Sequence, residues 1–167
     1  MTRFTLPIAL TILITACGIG LQLWYWPQTP ERMAIHFDAK GNPNDWLDKI
    51  PATLLSVGIM LIVPAFFMGI SQAIRWMPSS LINMPNRDYW LATERREKSL
   101  MWMTGWLLWF SVTIAIFILV LNHLTFVANR DAQPLPWVGA WGLLGTFLFT
   151  TFLMLVGMFK RFHKPTC

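Results

Sequence analysis

The chain has 167 residues, of which 55% are hydrophobic and 13% charged, with a formal charge of +5. A soluble domain carries about 25% charged residues, so half that share leaves too little to cover a water-facing surface. A mean hydropathy of +0.50 and only two cysteines also exclude disordered and disulfide-scaffold chains.

Four uncharged stretches dominate the sequence, and each exceeds the ~20 residues that cross a ~30 Å hydrocarbon layer. Membrane spans are predicted at about 6–26, 51–75, 100–122 and 137–159. In the first, Pro7 is tolerated because the opening turn needs no N–H partner. Trp24, Tyr25 and Trp26 anchor its end at the headgroups, and Pro27 and Pro30 stop it. Cys17 falls inside this span. Its context loosely resembles a lipoprotein box, but the apolar run continues beyond it to Trp24, which favours an uncleaved helix.

The segment 27–50 is read as an outer loop with a turn at Gly41, Asn42 and Pro43. Span two contains Pro64, which should kink it, and Ala65, Gly69 and Ala73 at four-residue spacing. Such a stripe lets a second helix approach closely, so these residues are assigned to helix packing. The segment 76–99 is turn-rich at first. From Asp88 onward it should form an interfacial helix, with Glu94 and Lys98 as an i,i+4 pair, running into span three. A short loop, 125–136, precedes span four.

Placing both termini, Arg75 at the end of span two and 76–99 on one side gives nine Lys or Arg there against four on the other. The positive-inside rule then makes that side cytoplasmic. The fold expected is an all-α membrane protein, a single-domain four-helix transmembrane bundle with both termini cytoplasmic. Its expected home is a bacterial cytoplasmic (inner) membrane. The basic balance is thus a topology signal, and no nucleic-acid partner is expected. Apart from Arg75 at the very end of span two, the spans hold no Asp, Glu, Lys or Arg, which argues against a proton relay or charge-lined channel. Glycine-rich phosphate loops, paired-cysteine zinc sites and a nucleophile elbow are missing from the sequence. No cofactor and no enzymatic activity are expected. His36, Asp38, Asp45, Asp48 and His123 share the outer side and could meet a metal ion, but in no known ligand spacing.

Trp26, Pro27, Pro30, His36, Phe37 and Asp38, followed by Gly41, Asn42, Pro43, Trp46 and Lys49, resemble the signature of the domain of unknown function 1648. Asn83, Pro85, Asn86, Tyr89 and Trp90 resemble a second segment common in such proteins. That domain forms the N-terminal part of SdpI-type membrane proteins, the immunity and signalling proteins for a sporulation-delaying toxin. Thr29 and Ala34 depart from the pattern, which has Leu and Pro there. The resemblance implies an outer loop that recognises a peptide or protein ligand through His36, Phe37, Asp38, Gly41, Pro43 and Trp46. It also implies a cytoplasmic motif at Asn83, Pro85, Asn86, Tyr89 and Trp90 that meets a cytoplasmic or membrane partner. The alternatives are an accessory subunit of a larger membrane complex and, behind it, an outward-facing metal-dependent enzyme using His36.

Overall fold

A computed structural model describes residues 4–163; Arg3 and Lys164, two of the nine cations of the cytoplasmic count, and Cys167, the second cysteine, lie outside the described residues. Four helices are long and apolar enough to cross a membrane. They are α1 (Thr5–Tyr25), α2 (Lys49–Ala73), α4 (Thr93–Asp131) and α5 (Trp137–Arg161); α3 (Arg87–Trp90) is a single turn between α2 and α4. Pro64 lies inside α2, which continues through it although its ring nitrogen cannot donate to the preceding turn.

The helices α1, α2 and α4 form the packed centre, with α5 laid chiefly against α4. Small polar side chains share the interior with apolar ones such as Met60, Leu108 and Ile118, while the exterior is apolar, unlike that of a soluble bundle. Thr11, Gln22, Ser71, Thr104 and Ser111 are each at most 1% exposed, whereas Ile62, Phe66, Phe149 and Phe152 are more than half exposed. Lipid is as apolar as leucine, so burial of large side chains does not drive association here. Close approach and interhelical hydrogen bonds do. The Thr11 hydroxyl shares a 2.9 Å hydrogen bond with Ser111, and Thr104 donates to the Ser71 carbonyl at 3.1 Å. Gly18 leaves room for Met60, whose side chain lies 2.7–3.2 Å from where a Cβ would stand.

The helix α5 has no buried residue. Aromatic contacts hold it: Trp106 donates its indole N–H to the Met154 carbonyl at 3.0 Å, and Phe147 packs on Phe117 at 4.6 Å. Trp102, Trp106 and Trp109, at i, i+4 and i+7 on α4, divide between packing and exposure, with Trp109 45% exposed.

Two boundaries differ from the sequence reading. The segment 27–50 contains a two-stranded antiparallel sheet, β1 (Arg32–Phe37) with β2 (Pro43–Asp48), so the all-α description holds for the membrane part. β1 carries Ile35 and Phe37, but β2 holds Pro43, Asn44, Asp45 and Asp48, so the pairing rests on the Gly41 turn more than on strand propensity. The expected loop 125–136 shrinks, because α4 continues to Asp131 with no Pro or Gly to stop it and ends on Ala132 in a left-handed conformation. The interfacial helix does run into span three as expected, the two forming one helix of 39 residues that starts at Thr93. Glu94 and Lys98 form no ion pair; among the described residues the ion pairs are Lys49–Glu31, Arg87–Asp88 and Arg130–Asp131.

The small-residue stripe needs a larger correction. Ala65, Gly69 and Ala73 are exposed, and a Cβ added at Gly69 would meet nothing within 4 Å. Helix packing within this chain uses the opposite face of α2, through Met60, Pro64 and Ser71.

Candidate functional site

The hairpin closes one end of the bundle. Its register pairs Arg32 with Asp48, Met33 with Leu47 and Ala34 with Trp46, then shifts so that His36 meets Asp45 and Phe37 meets Pro43. The shifts leave Ile35 and Asn44 without direct partners, which twists the ribbon. His36 uses its Nδ1 in a 2.6 Å hydrogen bond with Asn44 Oδ1.

Asp38 organises the turn. Its carboxylate accepts the Lys40 and Asn42 backbone N–H groups, each at 2.8 Å, and the Asn42 side-chain amide at 3.1 Å. The Asn42 hydrogen bonds, side chain first, hold its carboxyl below the usual carboxylate range. Gly41 follows at φ +86°, a conformation that disfavours a Cβ. Space forbids one too, because it would collide with the Leu135 carbonyl. The Gly41 carbonyl accepts the Leu135 N–H at 2.8 Å, and the Ala39 carbonyl accepts the Trp141 indole N–H at 3.1 Å. The hairpin tip is thereby fastened to the 132–136 connection and to α5.

The hairpin's base is fastened to α4 by Asn129. Its carboxamide accepts the Ala34 N–H at 2.6 Å and donates to the Ala34 carbonyl at 2.9 Å, occupying the free edge of β1 as a neighbouring strand would. A further hydrogen bond, to the Thr125 carbonyl at 2.9 Å, orients it. Sequence reasoning missed Asn129. The available signal was Asn122, Thr125 and Asn129, polar at i, i+3 and i+7 on an otherwise apolar helix end. Lys49, also outside the assigned set, donates to the Thr29 carbonyl at 2.9 Å and lies 3.8 Å from Glu31.

These attachments leave a groove of about 380 Å³ between the hairpin and the end of α4. Arg32, Phe37, Pro43 and Trp46 line one wall, and Asn129, Gln133 and Pro134 the other. Of the six outer residues assigned from sequence, Phe37, Pro43 and Trp46 therefore face a cavity. His36, Asp38 and Gly41 shape the backbone that presents them.

Directly beneath lies a buried polar layer. Thr11 meets Ser111, and the parallel helices α1 and α4 then advance equally to Gln22 and Asn122. From Gly18 against Met60, the antiparallel α2 brings Ser56 and Thr53 to the same depth. The Gln22 amide, the Thr53 and Ser56 hydroxyls and the Asn122 amide nitrogen are buried there with no hydrogen-bond partner. Above them the Tyr25 hydroxyl and His123 Nδ1 are 3.2 Å apart, and Tyr25 stacks on Phe126 at 6.0 Å.

His36 and His123 are thus engaged separately. Among the described residues no three His, Cys, Asp or Glu side chains come together as metal ligands.

At the opposite end, Asn86 and Trp90 both donate to the Phe162 carbonyl, at 2.9 and 2.8 Å. Asn86 has φ +50° and Tyr89 lies under the Arg95 guanidinium at 4.0 Å. Ile74, Ile82, Met84, Leu91, Leu100, Met103 and Phe162 form an apolar cluster beneath them. The second motif therefore straps the loop to the end of α5. Asn83 alone of its assigned members faces a shallow cleft, beside Arg87 and Asp88, while Pro85 shapes the approach to Asn86.

Residues 13–61 match the family model of a domain of unknown function, DUF1648. The match runs from the middle of α1 through the hairpin into α2 and stops short of Asn129, α5 and the second motif. No curated protein and no solved structure matches the chain.

Proposed function

We propose that this multi-pass membrane protein recognises a peptide or protein ligand in the groove between its hairpin and the end of α4, on the outer side of a bacterial cytoplasmic membrane. The observation that carries the reading is the groove itself, with Arg32 and the exposed Trp46 on a wall fixed by Asn129 and the Gly41–Leu135 contact. A wall held this way is pre-organised, which lowers the entropy lost on binding. Phe37, Pro43 and Trp46 supply apolar contact, and Arg32 attracts a carboxylate or a backbone carbonyl. No step of bond making is assigned to the site; the protein is read as a receptor or immunity-type factor of the SdpI kind, acting on an antimicrobial peptide or similar envelope signal.

The orientation follows the charge count and is tested separately. Cysteines introduced at Asn44 and Ser80 should label from outside and inside respectively; outside labelling at Ser80 overturns it. The binding reading is tested by expressing the protein in bacteria sensitive to a membrane-active peptide. Protection that disappears in Trp46→Ala and Arg32→Glu, at unchanged membrane abundance and detergent melting, supports it. Protection unchanged in both variants places recognition elsewhere.

A second reading, an accessory subunit of a larger membrane assembly, is favoured by the exposed Ala65, Gly69 and Ala73 face and by the unburied α5. Co-purification in fixed stoichiometry that Gly69→Leu abolishes would support it over ligand recognition.

A further inference from the structure

We infer that the groove where the start of α1 meets α4 and the end of α5 binds one anionic phospholipid. The groove holds about 410 Å³ and has two unlike ends. At its rim stand Lys98 and Arg161, and its floor runs along Phe4, Met101 and Gly105 to Trp109. The Phe4 ring lies over Gly105, 3.4 Å from where a Cβ would be, so the floor depends on a glycine at that point.

Among the described residues neither rim cation has an acidic partner. The Arg161 guanidinium lies over the Trp90 ring at 4.9 Å and the Phe162 ring at 5.5 Å, and this stacking fixes its position without neutralising it. The surroundings reinforce the charge: 74–100 and 160–161 together hold seven Lys or Arg against three Asp or Glu. A headgroup phosphate at the rim would meet two charges that are already positioned.

The floor identifies the rest of the ligand. From Lys98 to Trp109 the helix rises about 16 Å, well into the hydrocarbon layer. Met101 and Trp109 are 37% and 45% exposed along that path, facing the space an acyl chain occupies. A soluble phosphate could reach the cations but gains nothing from this floor; a lipid satisfies both.

The purified protein in mild detergent is titrated with phosphatidylglycerol, phosphatidylcholine and soluble glycerol phosphate, and bound ligand is counted by native mass spectrometry. One phosphatidylglycerol should be retained in preference to phosphatidylcholine, with no retention of glycerol phosphate. Lys98→Gln and Arg161→Gln should each weaken phosphatidylglycerol retention about fivefold, while Lys160→Gln, outside the groove, leaves it unchanged. Lys98 is exposed and unpaired, so its variant should fold normally even if Arg161→Gln melts early. Equal retention of the two lipids overturns the inference. So do glycerol phosphate retained as well as the lipid, and Lys160→Gln weakening retention as much as Lys98→Gln.

Discussion

The two ends of the bundle solve the same problem by different physics. Each must fasten a long connecting segment to the end of a helix, and each uses side-chain amides or indoles on backbone groups to do so. At the hairpin end Asn129 holds Ala34 and Trp141 holds Ala39; at the other, Asn86 and Trp90 hold Phe162. Beneath these bonds the ends diverge. The far end has an apolar cluster of seven buried residues reaching from Ile74 to Phe162, whereas the hairpin rests on four, Tyr25, Met33, Ala52 and Phe126, with Ile35, Leu47 and Val127 half-buried at their edge. The hairpin end should therefore be sensitive to single polar contacts and to acid, and the far end to lost volume.

The largest effect expected is at Phe162, which is fully buried among Trp90, Trp102 and the far-end cluster. Phe162→Ala should cost about 3–4 kcal/mol, read as lower melting in detergent with the far loop newly open to protease. Gly41→Val comes next, at about 2–3 kcal/mol, since it combines positive φ with a collision at Leu135. Its damage should appear as protease cleavage within 38–46 while the far loop stays protected. Opening of both loops in either variant would mean that the ends are not separate units.

Asn129→Ala should cost about 2 kcal/mol by leaving both Ala34 backbone groups unpaired. Asn129→Asp sharpens the point: a carboxylate can still accept from Ala34 N–H but cannot donate to its carbonyl, so it should rescue only part of the loss.

Acid should then separate the ends without mutation. The Asp38 carboxyl titrates lower in the folded protein than in the unfolded chain, so its contribution is present above the unfolded pKa. That contribution is lost as pH falls through the lower, folded pKa. The protection of the Lys40 and Asn42 amides, the two donors to Asp38, measured against their intrinsic exchange rates at each pH, should fall in acid and lose this dependence in Asp38→Asn. Exchange at the far end should not follow. The smallest effect is at Gly69: leucine there should change the stability of the isolated chain by no more than about 0.5 kcal/mol, as at Ile62, because neither position touches another helix.

The membrane part was legible because long apolar runs admit few alternatives, and the charge-free spans, the Gly41 turn and the Trp rows are visible residue by residue. The hairpin was obscured by Pro43, Asp45 and Asp48, poor strand formers that the turn and Asn129 compel into register. The stripe on α2 misled for a different reason. Small residues show that a close approach is sterically allowed, and Gly18, outside any stripe, is the one that Met60 actually approaches. Asn129 could be suspected from spacing, but its target, the backbone of Ala34, leaves no mark on the sequence.

The 39 residues of α4 extend about 58 Å, beyond the ~40–45 Å of a bilayer with its headgroups. Asn129 clamps the hairpin near one tip, and near the other Ser99 donates to the Trp90 carbonyl at 2.9 Å. No proline interrupts the rod between these clamps. The two attached segments therefore share one unbroken strut, so any tilt of α4 that moves the hairpin must move the far loop as well, and it must do so against the Thr11–Ser111 and Thr104–Ser71 contacts.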